Sequence, residues 1–392
     1  MREMAALNST ISNPDATYQT GFVRWRAADH DFDGWSLSGV KLNRGALEFD
    51  ASTAAIDADP YTAGTYHGRS YYNGGSFFVG EAVSPEIDTS FDYKQAIASW
   101  NALTPAGSWL EVQFRARYGE RWSKWYVLGI WASDSSTITR HSVDEQKDDD
   151  GSVSADTFLS SSESGTHTFQ LKLRLFSADG ISTPRVENVA VAYSTSIPTS
   201  VNTCAGNPTL WNRRLDVPQF SQMIYPDGGS VWCSPTSTAM VLSFLESYRG
   251  DCAPRVHAAV EAVYDWVYDG HGNWPFNTAY AATAGYEAYV ARLTSLARAE
   301  EFIAAGIPLI MSVAWDKGTL TNSGVDSTNG HLLVLVGFDS EGNLIVNDPA
   351  SPTNESVRRT YLRSEFEPLW LQSSGGTVYL IYPSTAQVPS IS

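Results

Sequence analysis

Short runs in which apolar and polar side chains alternate fill residues 20–196. WLEVQFRARY (109–118), RWSKWYVLGIW (121–131), HTFQLKLRLFS (167–177) and RVENVAVAYST (185–195) all repeat with a period of two. That is the pattern of strands with one face buried. Clusters of Gly, Pro, Asp and Ser separate the runs, and no helical stripe interrupts them. Strands at this spacing predict an all-β antiparallel sandwich, of jelly-roll type, over residues 20–196.

The texture changes after STSIPTSVNTCAGNPTLW (194–211), which reads as a linker bounded at 197–213. CSPTSTAMVLSFLESY then predicts a helix, with Ala239, Met240, Phe244 and Leu245 as its apolar stripe. APRVHAAVEAVYDWVYD (253–269) and SLARAEEFIAAG (295–306) predict two more, the second stopped by Gly306. PLIMSVAW reads as a short buried strand. HLLVLVGF (331–338), the turn DSEGN (339–343) and LIVND (344–348) read as a hairpin, and TVYLIYP (377–383) as a last strand. Helices followed by antiparallel strands predict an α+β domain over 214–385. The whole is a multi-domain chain without internal repeats.

Charge and composition narrow the partners. With 43 acidic against 26 basic residues and a formal charge of −17, the chain lacks the basic footprint that nucleic acid requires. It has no apolar run of the roughly 18 residues a membrane span needs. The N-terminus MREMAALNSTISNPDATYQ lacks the basic and apolar regions of a signal peptide. Either the protein stays inside the cell, or its export signal has been removed. The 13 Trp and 19 Tyr suit sugars or extended peptides, although for any single Trp a place in a core is the expected one. The run DEQKDDDG (144–151) reads as a solvated loop, and no metal or cofactor is expected. Three cysteines leave two alternatives open: a Cys204–Cys252 disulfide with Cys233 free, or three free thiols.

Candidate chemistry gathers in the second half. Cys233 precedes Ser234-Pro235, where a helix begins. Proline suits the first turn, where its missing N–H costs nothing, and Ser234 is expected to cap. A thiol there meets unpaired N–H groups and the positive end of the helix dipole, which lower its pKa and can receive an oxyanion. Three histidines follow residue 200. His257 falls mid-helix and His271 in the Gly-rich stretch DGHGNW, whereas His331 opens a buried strand, well held for a base. Hairpin pairing returns Asp348 beside His331, where it can accept an imidazole N–H and fix the tautomer. VPQFSQ (217–222) supplies Gln219 and Gln222, of which only one can donate into an oxyanion hole, since they point to opposite sides. Trp232 and Trp274 are candidates for lining the groove.

VPQFSQ, WCSPTSTAMVL, GHLLVLVGF and IVNDPA, in that order, resemble the papain-like cysteine peptidases of the bacteriocin-leader type (peptidase family C-39 and its stand-alone relatives) over roughly residues 214–385. The resemblance implies a papain-like α+β fold with Cys233 as nucleophile, His331 as base, Asp348 as orienter and Gln222 as oxyanion donor. Ser234 stands where the family often has Gly, and MIYPDGGSVW is longer than the usual spacing before the nucleophile, so Gln219 stays in reserve. No membrane span or phosphate loop accompanies the domain, so cleavage of a double-glycine leader does not follow. SPEI (84–87), SWNALTPAGSWLEVQFRAR (99–117) and RWSKWYVLGIW are similar to jelly-roll modules attached to secreted bacterial hydrolases, many of which bind glycans. The expectation is a stand-alone cysteine hydrolase of a peptide or amide bond, such as a peptidoglycan stem or a peptide conjugate. It would act outside the cytoplasm, with a cell-wall glycan as a second partner. The alternative is a surface glycan-binding protein whose papain-like domain is non-catalytic.

Overall fold

The computed structural model describes residues 18–201 and 203–391. The stretch on which a signal peptide was sought lies almost wholly outside them. The N-terminal part is two antiparallel sheets packed face to face. One is centred on the strands Gln95–Leu103 and Arg185–Ser194, the other on Ser108–Tyr118 and Thr166–Ser177. The alternation seen in the sequence has a direct cause: Leu110, Val112, Phe114 and Ala116 enter the shared core, as do Phe169, Leu171, Leu173 and Leu175. Trp100, Trp109 and Trp131 are fully buried, the expected fate of a tryptophan here. Trp122 and Trp125 are half-buried and flank the Arg115 guanidinium at 4.4 Å each.

The C-terminal part has five helices: α1 (Cys233–Leu245), α2 (Ala253–Val263), α3 (Trp274–Thr283), α4 (Leu296–Ala304) and α5 (Arg363–Ser374). Its sheet runs in the order Glu287–Arg292, Thr377–Tyr382, Leu309–Trp315, Thr328–Phe338, Leu344–Asn347, Arg358–Tyr361, all antiparallel. Helices α1, α2 and α3 cover one face and α4 and α5 the other. Strands buried on both faces read as unbroken apolar runs, which is why LIMSVAW and HLLVLVGF show no alternation. The predicted hairpin forms, with Val334 opposite Asn347 and Phe338 opposite Leu344.

Three expectations need correction, and the open choice between a disulfide and three free thiols is settled. The helix expected over 253–269 ends at Val263, because the Asp265 carboxylate takes the backbone N–H groups of Val267 and Tyr268 and turns the chain. Ser234 is not the cap of α1: Trp232 occupies that position without a side-chain bond, and Ser234 lies inside the helix. Helix α1 has no one-sided stripe, since every residue from Ser234 to Ser243 is buried, as befits a helix enclosed by its neighbours. The Cys204–Cys252 disulfide is not made, and all three cysteines are free. Cys204 is exposed, on the stretch that packs against α4, while Cys252 joins the core on the opposite face of the sheet.

The two parts share one core. Val263, Phe276 and Ala279 of the second part pack among Trp100, Trp131 and Leu128 of the first. A Cβ on Gly129 would come within 2.9 Å of Trp100 and 3.2 Å of Phe276, so only glycine permits that approach. The strand Glu287–Arg292 lies at the sheet edge, and its outward backbone groups are met by N-terminal side chains. Asn101 Nδ2 donates to Ala288 O (2.6 Å) while its Oδ1 accepts Ala288 N–H (3.2 Å), and Ser99 Oγ accepts Val290 N–H (3.2 Å). Arg26 pairs with Glu287 at 2.5 Å. An edge that would otherwise invite another strand is thereby closed.

Candidate active site

Four chain segments build the site. The first is the start of α1, which presents a half-buried Cys233. Burial pushes its thiol up. The His331 hydrogen bond and charge, with the N–H groups of Leu332 and Ser234, overcome that and hold it below the ordinary thiol value. Ser237, one turn on, donates to Leu332 O (3.1 Å) and so fixes α1 to the strand that carries His331.

That strand is the second segment. His331 is buried, with Nε2 2.8 Å from Asp348 Oδ1, which leaves Nδ1 for the sulfur. Burial pulls its pKa down, but the Asp348 carboxylate and then the Cys233 sulfur raise it to about 10. The Trp315 ring stands edge-on to it, with centroids 5.4 Å apart. The third segment follows the Leu344–Asn347 strand. Asp348 is fully buried, and its Oδ1 also accepts Ala350 N–H (2.9 Å) while Oδ2 accepts the Tyr361 hydroxyl (2.5 Å). Burial alone would raise its carboxyl, yet His331, Tyr361 and Ala350 hold it below the usual carboxylate value. A carboxylate that accepts three hydrogen bonds, one of them from a cation, is held as an anion.

The fourth segment is VPQFSQ and the loop after it. Asn347 Nδ2 donates to Val217 O and Pro218 O, and Gln222 N–H to Pro349 O, so the segment is laced to the end of the Asp348 strand. Gln222 is buried, with Nε2 donating to Gly229 O (2.6 Å) and Oε1 unpartnered. Gln219 is committed elsewhere, accepting Arg358 N–H at 3.1 Å, which leaves Gln222 as the amide beside the nucleophile's loop. Gly229 presses against Gln222, and a Cβ there would sit 1.9 Å from Gln222 O.

The remaining candidates divide. Trp232 is only 6% exposed and packs against Tyr225, His257 and His271, with centroids 5.8, 5.6 and 6.2 Å away. It is a packing residue rather than an open groove wall. Trp274 is half-buried at the start of α3. His271 is pushed down to about 4 by burial and is neutral at neutral pH, and His257 stays mid-helix in α2. Sequence reasoning missed Trp315, Tyr361 and Tyr379. The first had a signal, since Trp315 lies two positions beyond Val313, the strand partner of His331. Tyr361 lies on the strand paired with Leu344–Asn347 and Tyr379 on the strand beside Leu309–Trp315, and neither pairing had a signal in the sequence. Among the described residues no cluster of three His, Cys, Asp or Glu could hold a metal ion, and no helix is long and apolar enough to cross a membrane.

Residues 21–194 match the family model of the peptidase C39 N-terminal domain, and residues 214–378 that of the peptidase C39-like family. No curated protein matches the chain in sequence. Among solved structures it is similar to a protein assigned as a C39-like peptidase from Bacillus anthracis, at 18% identity over 45% of this chain and 100% of that one, TM-score 0.32. It is also similar to a carbohydrate-binding module of the β-sandwich superfamily (13% identity, 44% and 58% covered, TM-score 0.19). A third likeness is to a kappa-carrageenase from Pseudoalteromonas carrageenovora (12%, 47% and 100%, TM-score 0.23). At such scores the assignment is carried by the two family matches.

Proposed function

This chain belongs to the C39-like peptidases, and we propose from that premise that it is a cysteine hydrolase cleaving a peptide or amide bond with Cys233, His331 and Asp348. One observation carries the reading: a thiol at a helix start, within interacting range of an imidazole whose Nε2 lies 2.8 Å from a buried carboxylate. We read the second domain as papain-like and the first as a jelly roll.

In the resting state the thiol proton resides on His331, giving a thiolate–imidazolium pair. The thiolate attacks the scissile carbonyl carbon, and the carbonyl electron pair moves onto oxygen. The Cys233 N–H and the free N–H of the Gln222 amide receive that oxyanion. Collapse breaks the C–N bond, and the imidazolium gives its proton to the departing amine, leaving a thioester. Neutral His331 then takes a proton from water as it attacks the thioester, and the acid leaves as the thiolate–imidazolium pair returns. Asp348 holds the ring throughout.

The half-buried Trp122 and Trp125, with Arg115 between them, support a sugar-binding role for the first domain, tested by glycan binding that is lost in W122A/W125A. We place the protein outside the cytoplasm because of this linked module; the three free thiols withdraw the argument from a disulfide. The test of hydrolysis is labelling by iodoacetamide at neutral pH. Cys233 should react at least tenfold faster than a free thiol, and C233A should abolish turnover of a proteome-derived peptide pool read by mass spectrometry. Ordinary reactivity with full turnover in C233A would end the proposal, and a wild type that turns over no peptide while binding glycan would favour the non-catalytic glycan binder.

A further inference from the structure

Asp156 belongs to the first domain, at the tip of the hairpin formed by Gly151–Ser154 and Thr157–Ser160. Ala155 beside it takes φ +54°, the left-handed conformation that a two-residue hairpin turn demands. Hairpin tips are ordinarily solvated. This one is driven into the second domain, and Asp156 is 4% exposed. Its Oδ2 accepts the backbone N–H of Trp274 at 2.7 Å, and its Oδ1 accepts the Thr157 hydroxyl at 2.9 Å.

Trp274 is the first residue of α3, a ten-residue helix. A carboxylate at that end satisfies a free N–H and faces the positive end of the dipole. Asn273 caps the next free group, taking Phe276 N–H at 3.2 Å. The start of α3 is therefore held by one side chain from each domain.

From α3 the connection runs to the nucleophile. Asn277 of α3 accepts the Thr238 hydroxyl of α1 (3.2 Å) and donates to His271 O (2.9 Å), in the loop that also carries Tyr268. On the other side, Tyr379 Oη meets Ser234 Oγ at 2.8 Å, next to Cys233. Tyr268 and Tyr379 both lie within electrostatic reach of Asp156 and of Cys233. Tyr268 is 46% exposed, an aromatic face left open in that loop. Burial raises the Asp156 carboxyl to about 6, against the Trp274 and Thr157 hydrogen bonds that lower it, with Asp265 the further anion nearby.

We propose that Asp156 is a positioning residue for the peptide cleft. Reaching across from the first domain, it fixes the start of α3, and with it Trp274 and the Tyr268 loop, beside Cys233. Recognition of a peptide thus depends on the first domain, whereas the intrinsic reactivity of the thiol does not. The proposal rests on the cysteine-hydrolase reading.

The test compares two reagents on the full chain: iodoacetamide, which needs only the thiolate, and a leucyl epoxysuccinyl probe, which must also occupy the cleft. In D156A and D156S the epoxide rate should fall at least tenfold while iodoacetamide labelling of Cys233 stays within threefold. D156N, which keeps an acceptor for Trp274 N–H, should restore the epoxide rate to within threefold of wild type. If D156A does not fold, D156S and D156N decide. An unchanged epoxide rate in D156S, a proportional loss with both reagents, or no rescue by D156N overturns the assignment. So does a wild type in which the epoxide gains nothing over iodoacetamide. A wild-type Cys233 no more reactive than a free thiol removes the hydrolase reading itself, and the two failures are thereby told apart.

Discussion

At the scale of single residues the site is a charge arrangement. Cys233 is held below and His331 above their ordinary values, each by the other and, for His331, first by Asp348. The thiolate–imidazolium pair is then the populated form between those two values. Its acid limb lies where Cys233 takes up a proton, below the usual thiol range. Its alkaline limb lies where His331 loses its proton, about 10. The expected pH profile of turnover is a bell whose acid side follows the iodoacetamide labelling of Cys233. H331A removes the cation and the hydrogen bond, so the labelling midpoint should move up toward the ordinary thiol value of about 8.5. D348N removes the anion that raises His331, so the alkaline limb should move down toward neutrality. A labelling midpoint that does not move in H331A would show that the helix end alone sets the thiol. These residues were legible because each has a local signature: Cys before Ser-Pro at a helix start, His opening an apolar strand, Asp closing its hairpin partner. Ser234 as a cap was a wrong inference from the same signature. The hydroxyl turns instead to Tyr379, more than a hundred residues away, and no local pattern reports such a partner.

At the scale of elements, what was legible was what has a period or a turn code. The hairpin of His331 and Asp348 follows from two apolar runs around DSEGN, where the Asp339 carboxylate takes the N–H groups of Glu341 and Asn343. Helix α3 was not legible. WPFNTAYAAT is buried along most of its length and so lacks a polar face to set the period. Helix α5 carries Pro368 in its interior, which sequence rules read as a break. The loop between Gln222 and Cys233 is the element on which the oxyanion assignment depends. Gly229 has backbone against its α-carbon, so G229A forces either the Gln222 carbonyl or the turn Gly229–Val231 to shift. Overpacking of this kind costs about 1–3 kcal/mol. G229A should lower the unfolding midpoint measurably and cut turnover at least tenfold, while iodoacetamide labelling of Cys233, which needs no oxyanion donor, stays within threefold. Equal losses in both would place the damage at the thiol rather than at Gln222.

At the scale of the whole molecule, a Pro- and Ser-rich connection between a β-rich and a mixed half reads as a tether between independent domains, and packing says otherwise. The connection itself is docked, with Asn207 N–H and Trp211 Nε1 both on the Glu300 carboxylate of α4 at 2.7 and 2.6 Å. Sequence patterns describe which face of a strand is buried but not what covers a sheet's edge, so the role of Asn101 could not be read from SWNAL. That amide takes the place of a neighbouring strand for Ala288 and is 4% exposed. Truncating it leaves a buried N–H and a buried C=O unpaired, at about 1–3 kcal/mol each. If the two halves unfold as one unit, N101A should lower a single calorimetric transition of the full chain, with far-ultraviolet circular dichroism from the helices of the second half and tryptophan fluorescence from both halves shifting together. S99A, which strips one acceptor from Val290, should do the same by a smaller amount. Two separated transitions in the wild type, with only one moved by N101A, would mean that the shared core around Trp100 and Phe276 does not couple the halves. The reach of Asp156 into the cleft would then lack the rigid platform it requires.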